Sequence, residues 1–186
     1  MTADNLYEEI LIAGFGGQGI ISAGKLLSYA AMKSGKQVSC MPSYGAEVRG
    51  GTANCMVVIA DQPIASPLIS KLDSLIAMNA ASVNKFASQI KDGGLLVFNS
   101  SLVNETPRLA NVTVLPVPAD KLAVELGDKK IANMVALGAY LQKKTVLNLQ
   151  TAIDSLPDVL AKRHQKALPI NAAALNRGAQ FAKDSG

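Results

Sequence analysis

Apolar and polar positions follow two rhythms along this chain, one of period two and one of helical period. A short apolar run at Glu9–Ala13 ends in glycine and predicts a buried strand. After a glycine loop at Gly14–Gly19, apolar residues recur from Ile20 to about Lys33 at helical spacing (Ile20, Ala23, Leu26, Leu27, Ala30, Ala31), and Gly35 supplies a stop. Gln37–Met41 predicts a second strand. Together these segments predict a βαβ unit, with neighbouring parallel strands and a right-handed crossover. Residues 42–51 are polar and predict a loop, and Thr52–Ala60 is a β-branched strand ended by Asp61, Gln62 and Pro63.

The alternation continues downstream. Leu75–Met78 predicts a short strand, Ala80–Ile90 a helix stopped by Asp92-Gly93-Gly94, and Leu95–Asn99 and Val112–Val117 two further strands. Ala119–Leu126 and Ile131–Lys143 predict a short and a long helix. Thr151–Leu156 and Asn171–Lys183 are also helical in pattern, separated by "LPDVL", because proline resists a helix interior. Strands alternating with helices imply an α/β fold, a three-layer sandwich whose first βαβ unit is Rossmann-like. The connection between Gln37–Met41 and Thr52–Ala60 is too short for a helical crossover, so that pair is expected to be antiparallel and the sheet mixed, though mostly parallel. With no internal repeat and no linker, residues 1–186 are expected to form one domain, its core at about 9–182.

Composition sharpens this picture. The chain has no Trp and only four Phe and four Tyr, so the core is aliphatic. A net charge of +4 comes from thinly spread basic residues, with adjacent lysines only at Lys129-Lys130 and Lys143-Lys144, which argues against a nucleic-acid partner. The only cysteines, Cys40 and Cys55, lie in apolar strand-like segments and read as buried thiols. Two thiolates are too few for an iron–sulfur cluster. "MTADNLYEE" is acidic and lacks an apolar leader core, and no apolar run approaches a membrane span. The expected setting is therefore the cytoplasm, without membrane contact. His164 lies in the basic stretch "KRHQK", where it reads as a solvated surface residue with no triad around it.

Two loops carry the candidate chemistry. In "LIAGFGGQGIISAGK", Gly14, Gly16 and Gly19 satisfy G-x-G-x-x-G between a strand and a helix, where glycines let the backbone approach an anion at the helix N-terminus. The acidic residue that would grip a ribose is missing from the second strand, and none follows until Glu47. Lys25 lies too far from Gly19 for a Walker ending. Two readings stay open: a free-standing nucleotide-binding, Rossmann-like protein that uses Gly14–Gly19, or a tight turn whose glycines permit close packing. The latter leaves Gln18 unexplained. The second loop, "SYGAEVRGG", sets Tyr44, Glu47 and Arg49 between glycines. It could present a ring and a charged pair to another surface, or be a solvated loop with an internal ion pair of little energetic weight.

"GFGGQGI" followed by "SYGAEVRGG" resembles the gamma subunit of 2-oxoacid:ferredoxin (acceptor) oxidoreductases, and "NMVALGAY" at 133–140 and "NAAALNRG" at 171–178 extend the likeness over about residues 9–182. Gly14, Gly16, Gly17, Gln18 and Gly19 match the family's first loop. Ser43, Tyr44, Glu47, Arg49, Gly50 and Gly51 match its second, with Ala46 where the family commonly has proline. The resemblance implies a complex that oxidatively decarboxylates a 2-oxoacid such as pyruvate or 2-oxoglutarate, the latter favoured for a short separate chain. Coenzyme A would accept the acyl group, and ferredoxin or a similar carrier the electrons. Thiamine diphosphate, its magnesium and the iron–sulfur cluster would sit on alpha and beta subunits and a ferredoxin-like delta subunit. This chain would then bind no cofactor or metal alone, supply no catalytic residue, and serve as an obligate accessory subunit. The two loops are expected to lie near each other, toward the coenzyme A route or the thiamine-binding subunits.

Overall fold

A computed structural model describes residues 5–45 and 51–185. Six strands form one sheet: β1 (Tyr7–Phe15), β2 (Gln37–Tyr44), β3 (Thr52–Ala60), β4 (Leu72–Ala77), β5 (Ile90–Asn99) and β6 (Thr113–Val117). Their spatial order is β2-β3-β1-β4-β5-β6. β1, β4, β5 and β6 are parallel, whereas β3 is antiparallel to both β1 and β2. The sheet is therefore mixed and mostly parallel, as the short β2–β3 connection requires.

The first βαβ unit differs from expectation. The crossover through α1 (Ile20–Lys33) does not land beside β1, because β3 inserts between β1 and β2, pairing with β1 from Tyr7↔Ala60 to Phe15↔Thr52. Side-chain character explains the order. Val57, Val58, Ile59 and Ala60 are apolar on both faces and all buried, which suits an interior strand. β2 interleaves Gln37, Ser39 and Ser43 with its apolar residues and has no fully buried position, which suits an edge.

Helices cover the two faces unequally. On one face, α1, α3 (Ala119–Glu125), α4 (Ala132–Lys143), α5 (Leu149–Asp154), α6 (Leu156–Val159) and α7 (Leu168–Asp184) bury Ile10, Ile12, Cys55, Val57 and Val97. On the other, α2 (Ala80–Phe86) and the segment from Val103 to Val112 cover Leu11, Ala13, Leu75, Leu96 and Phe98. Successive residues of β1 thus face opposite layers, the period-two signature of a strand buried on both sides. The α4–α7 crossing is set by two glycines. A Cβ on Gly138 would run into the Leu175 carbonyl, and one on Gly178 into the Val135 carbonyl, so the helices touch backbone to backbone.

Several boundaries move for local reasons. α2 stops at Phe86, a 3₁₀ turn covers Ala87–Gln89, and β5 starts at Ile90, so Asp92-Gly93-Gly94 is not a helix stop but lies inside the strand. Gly93 adopts φ 78° and donates its N–H to the Asn111 carbonyl at 2.6 Å, where the register with β4 shifts. β2 continues through Ser43 and Tyr44, which the sequence had placed in the loop. α7 begins at Leu168, before Asn171, because Pro169 in its first turn lacks an N–H that the helix does not need there. For the same reason Pro157 opens the short α6 instead of leaving a plain break.

Candidate functional site

The carboxyl ends of β1 and β4 meet where chain connections leave the sheet in opposite directions: α1 leads toward β2 on one side, and α2 leads to β5 on the other. Ligands of open α/β sheets favour such a switch point. Here the glycine loop crosses it. Gly17 (φ 96°) and Gly19 (φ 72°) take left-handed backbone that other residues adopt only with strain. Gly14 has a third reason to lack a side chain, since a Cβ there would lie 2.6 Å from Ile20 Cδ1.

Gln18, unexplained by a plain packing turn, has a definite structural task. Its Oε1 accepts from the Phe15 N–H at 2.7 Å and from Asn79 Nδ2 at 3.0 Å, and its Nε2 donates to the Met78 carbonyl at 3.1 Å. One side-chain amide therefore ties the end of β1 to the segment just after β4. Asn79 is itself fixed, its Oδ1 accepting from the Ser82 N–H at 2.8 Å as the N-cap of α2. From the C-terminal half, Asn133 at the start of α4 donates Nδ2 to the Gly19 carbonyl at 3.0 Å. That carbonyl also accepts from the Ala23 N–H at 3.0 Å, the first bond of α1.

The second loop joins the first directly. The Gly16 N–H donates to the Gly51 carbonyl at 2.8 Å, and the Gly45 N–H donates to the Thr52 carbonyl at 2.7 Å. Tyr44 is 63% exposed and Phe15 38%, so two of the chain's few aromatics are held in water at the mouth of the loop pair. Together with Gly17 and Ser22 they line a shallow cavity of about 260 Å³. Ser43 is exposed at the end of β2, opposite Asn54. Glu47, Arg49 and Gly50 lie outside the described residues.

A second cavity of about 470 Å³ opens on the other side of the glycine loop, between Gly17, Gln18 and Leu102 and the stretch Asp128–Lys130. Asp120 reaches it from α3. It is largely buried, accepts from Asn99 Nδ2 at 2.7 Å, and pairs with Lys129 Nζ at 3.0 Å. Sequence reasoning assigned no role to Asn79, Asp120 or Asn133. Asn79 before the "AAS" helix start is a readable cap signal, but nothing local to Asp120 or Asn133 announces a partner 20 or more residues away.

This arrangement is not that of a dinucleotide site. In the dinucleotide fold the ribose-gripping acid stands on the strand next to β1. Here β3 occupies that place and displaces the tip of β2 by one further strand spacing, roughly 5 Å. Both polar ends of Gln18 are also committed at the switch point. Among the described residues, no group of three or more His, Cys, Asp or Glu side chains could hold a metal ion. Nor is any helix there long and apolar enough to cross a membrane.

The fold and the loop pair define a mixed-sheet α/β domain whose switch point is bridged by the Gln18 amide. Residues 9–181 match the family model of pyruvate ferredoxin/flavodoxin oxidoreductase, and the chain belongs to that family. Two relatives differ in extent. The 2-oxoglutarate synthase subunit KorC of Methanocaldococcus jannaschii is 33% identical over 95% of this chain and 95% of its own length. The ketoisovalerate oxidoreductase subunit VorA of Methanothermobacter thermautotrophicus is 34% identical, but the chain spans only 36% of that protein's length. Among solved structures, the gamma subunit of a keto/oxoacid ferredoxin oxidoreductase from Geobacter sulfurreducens superposes with a TM-score of 0.81 at 30% identity, over 95% of this chain and 99% of that one. A 2-oxoglutarate:ferredoxin oxidoreductase from Magnetococcus marinus, solved with 2-oxoglutarate, coenzyme A and succinyl-CoA bound, gives 0.86 at 27% identity, over 96% of this chain and 31% of that one. The three-layer α/β architecture expected from the sequence is thus the fold of solved gamma subunits.

Proposed function

We propose that this chain is the gamma subunit of a thiamine-diphosphate-dependent 2-oxoacid oxidoreductase, contributing no catalytic group and using its joined loops as the contact face for the subunits that carry the chemistry. The observation that carries this reading is the Gly16–Gly51 hydrogen bond, which fuses the two loops into one surface rimmed by exposed Phe15 and Tyr44. Exposed aromatics on a rigid turn are what a protein interface recruits as anchors. The chain's cysteine count does not fit an iron–sulfur cluster, which normally takes four thiolates. The cluster, thiamine diphosphate and magnesium therefore belong to the companion alpha, beta and delta subunits, and ferredoxin is the acceptor of the whole. Coenzyme A is the acyl acceptor, its route passing the loop pair.

Among substrates, 2-oxoglutarate is favoured over pyruvate and ketoisovalerate. The support is similarity at matched length: a 2-oxoglutarate synthase subunit is 33% identical over 95% of its own length, against 31% over 81% for a pyruvate synthase subunit of Methanosarcina barkeri, whereas the ketoisovalerate subunit is far longer.

The test is reconstitution with companion alpha and beta chains, followed by viologen reduction with each 2-oxoacid and coenzyme A. The isolated chain should show no turnover. The complex should need it for coenzyme-A-dependent activity, with the highest kcat/KM on 2-oxoglutarate. Full activity without this chain, or tight binding of NAD(H), FAD or ATP by the chain alone, defeats the reading. A Tyr44→Ala variant that folds normally should lose affinity for its companions.

A further inference from the structure

Cys40 and Cys55 were expected to be buried thiols. The structure makes them a pair. They lie on neighbouring antiparallel strands, with Cys40 opposite Val57 and Cys55 opposite Pro42, so they are diagonal neighbours on the same face of the sheet. Their sulfurs are 3.5 Å apart. Their surroundings are unequal. Cys55 is fully buried in the core beneath α1, where Gly24 leaves room for its sulfur, since any Cβ on Gly24 would strike it. Cys40 is only partly buried, on the edge strand β2.

We propose that this pair is a peroxide-reactive dithiol in which Cys40 is the attacking sulfur and Cys55 the resolving one. The Cys40 thiolate attacks one oxygen of hydrogen peroxide, the O–O bond breaks, and hydroxide leaves, giving a sulfenic acid at Cys40. The Cys55 sulfur then attacks the Cys40 sulfur. The S–O bond breaks, the Cys55 proton goes with the departing hydroxide as water, and a Cys40–Cys55 disulfide forms. Overall two thiols lose two electrons and one peroxide is reduced to two waters.

Three observations support these roles. The hydrogen bond from Cys55 lowers the Cys40 thiol to about 6, and the Lys25 ammonium adds to this against the effect of partial burial. The bond to Cys40, then burial, pushes Cys55 up, so Cys55 keeps the proton it must later release. The separation already lies at near-attack range. Closing it requires movement of β2, an edge strand with a single strand neighbour. The resulting bridge would pin the β2–β3 hairpin below Tyr44 and Gly51, the base of the second loop. Oxidation would thereby stiffen the surface assigned above to subunit contact, though the thiol chemistry stands independently of that assignment.

The experiment treats the folded full chain with hydrogen peroxide and follows intact mass, free thiols and sulfenate trapping by dimedone. Wild type should lose about 2 Da and both titratable thiols, reversibly with dithiothreitol. Cys55→Ser should form no internal disulfide and instead gain a dimedone adduct at Cys40. Cys55→Ala should behave alike should the serine disturb packing under Gly24. Cys40→Ser should react roughly tenfold or more slowly. Retention of both thiols under peroxide that oxidises free cysteine overturns the proposal. So does oxidation of Cys55 at the wild-type rate in Cys40→Ser, or sulfinic acid at Cys40 with no disulfide.

Discussion

Asn133 Nδ2 donates to the Gly19 carbonyl at 3.0 Å, joining the first turn of α4 to the last residue of the glycine loop across 114 positions of sequence. The two residues also exclude each other's enlargement, because a Cβ on Gly19 would lie 2.5 Å from that same Nδ2. Asn133→Ala should therefore lower stability by about 1 kcal/mol, the usual size for one part-buried hydrogen bond. Gly19→Ala should cost more, since it adds left-handed strain of ~1–2 kcal/mol to the loss of the Asn133 contact. Urea denaturation of the two variants and the double variant measures this. The double variant should fall short of the sum, because both changes remove the same bond.

Gln18 makes three hydrogen bonds with one amide, so its replacements separate geometry from charge. Gln18→Ala removes all three and should destabilise by ~2–3 kcal/mol. Gln18→Glu keeps the shape and an acceptor for Phe15 and Asn79, but turns a carboxylate oxygen toward the Met78 carbonyl. It should be destabilised at neutral pH and partly recovered as the carboxyl is protonated on acidification. Thermal melts of Gln18→Glu at pH 7 and pH 5 test the sign. A variant that melts higher at pH 7 would contradict the hydrogen-bond assignment.

The α4–α7 crossing leaves no room for a methyl group. Gly138→Ala and Gly178→Ala each press a Cβ into a backbone carbonyl, which cannot rotate away as a side chain can. Each should cost about 3 kcal/mol or more, at the high end for overpacking. Reduced soluble yield and a lowered urea midpoint are the readouts, with Gly127→Ala as a contrast. That glycine faces open space and carries only the strain of its positive φ.

At the opposite end of the sheet, Lys91 Nζ stands 2.7 Å from Glu9 Oε2 and 2.8 Å from Asp73 Oδ1. Partial burial pushes its ammonium down, but the Asp73 and Glu9 carboxylates outweigh this and hold it above the ordinary lysine range. A group raised on folding contributes stability that is complete below its unfolded pKa of roughly 10.4 and is lost as pH rises through the folded value. Lys91→Met should thus weaken the protein at pH 7 and flatten the decline in stability that wild type shows above about pH 10. The lysine is 36% exposed, so screening by water keeps the effect small. Chemical denaturation at pH 7, 10 and 11 resolves it.

The strands and helices were largely readable because their signals are local. Val57–Ala60 declares a strand by its run of apolar, β-branched residues, and Ile20–Lys33 declares a helix by its apolar stripe and the glycine beyond it. Boundaries slipped where a neighbour intervened. Ile90 joined a strand rather than a helix because Leu72 of β4 pairs with it, and Gly93 became a bulge rather than a stop because Asn111 accepts its N–H. The glycine loop was visible as a motif, but the sequence left two readings of it open.

By itself the sequence determined the α/β alternation, the aliphatic core, the short hairpin that makes the sheet mixed, and the two glycine-framed loops, since all of these follow from residue type and spacing within a few turns of chain. Tertiary structure alone decided that β3 stands between β1 and β2, that Gln18 ties the glycine loop to Met78 and Asn79, that Asn133 grips Gly19, and that two distant thiols share one face 3.5 Å apart. The physical reason is common to all four. Each depends on which surfaces meet when the whole core is buried at once, and a hydrogen bond or a sulfur contact between residues far apart in sequence leaves no periodic trace in either segment.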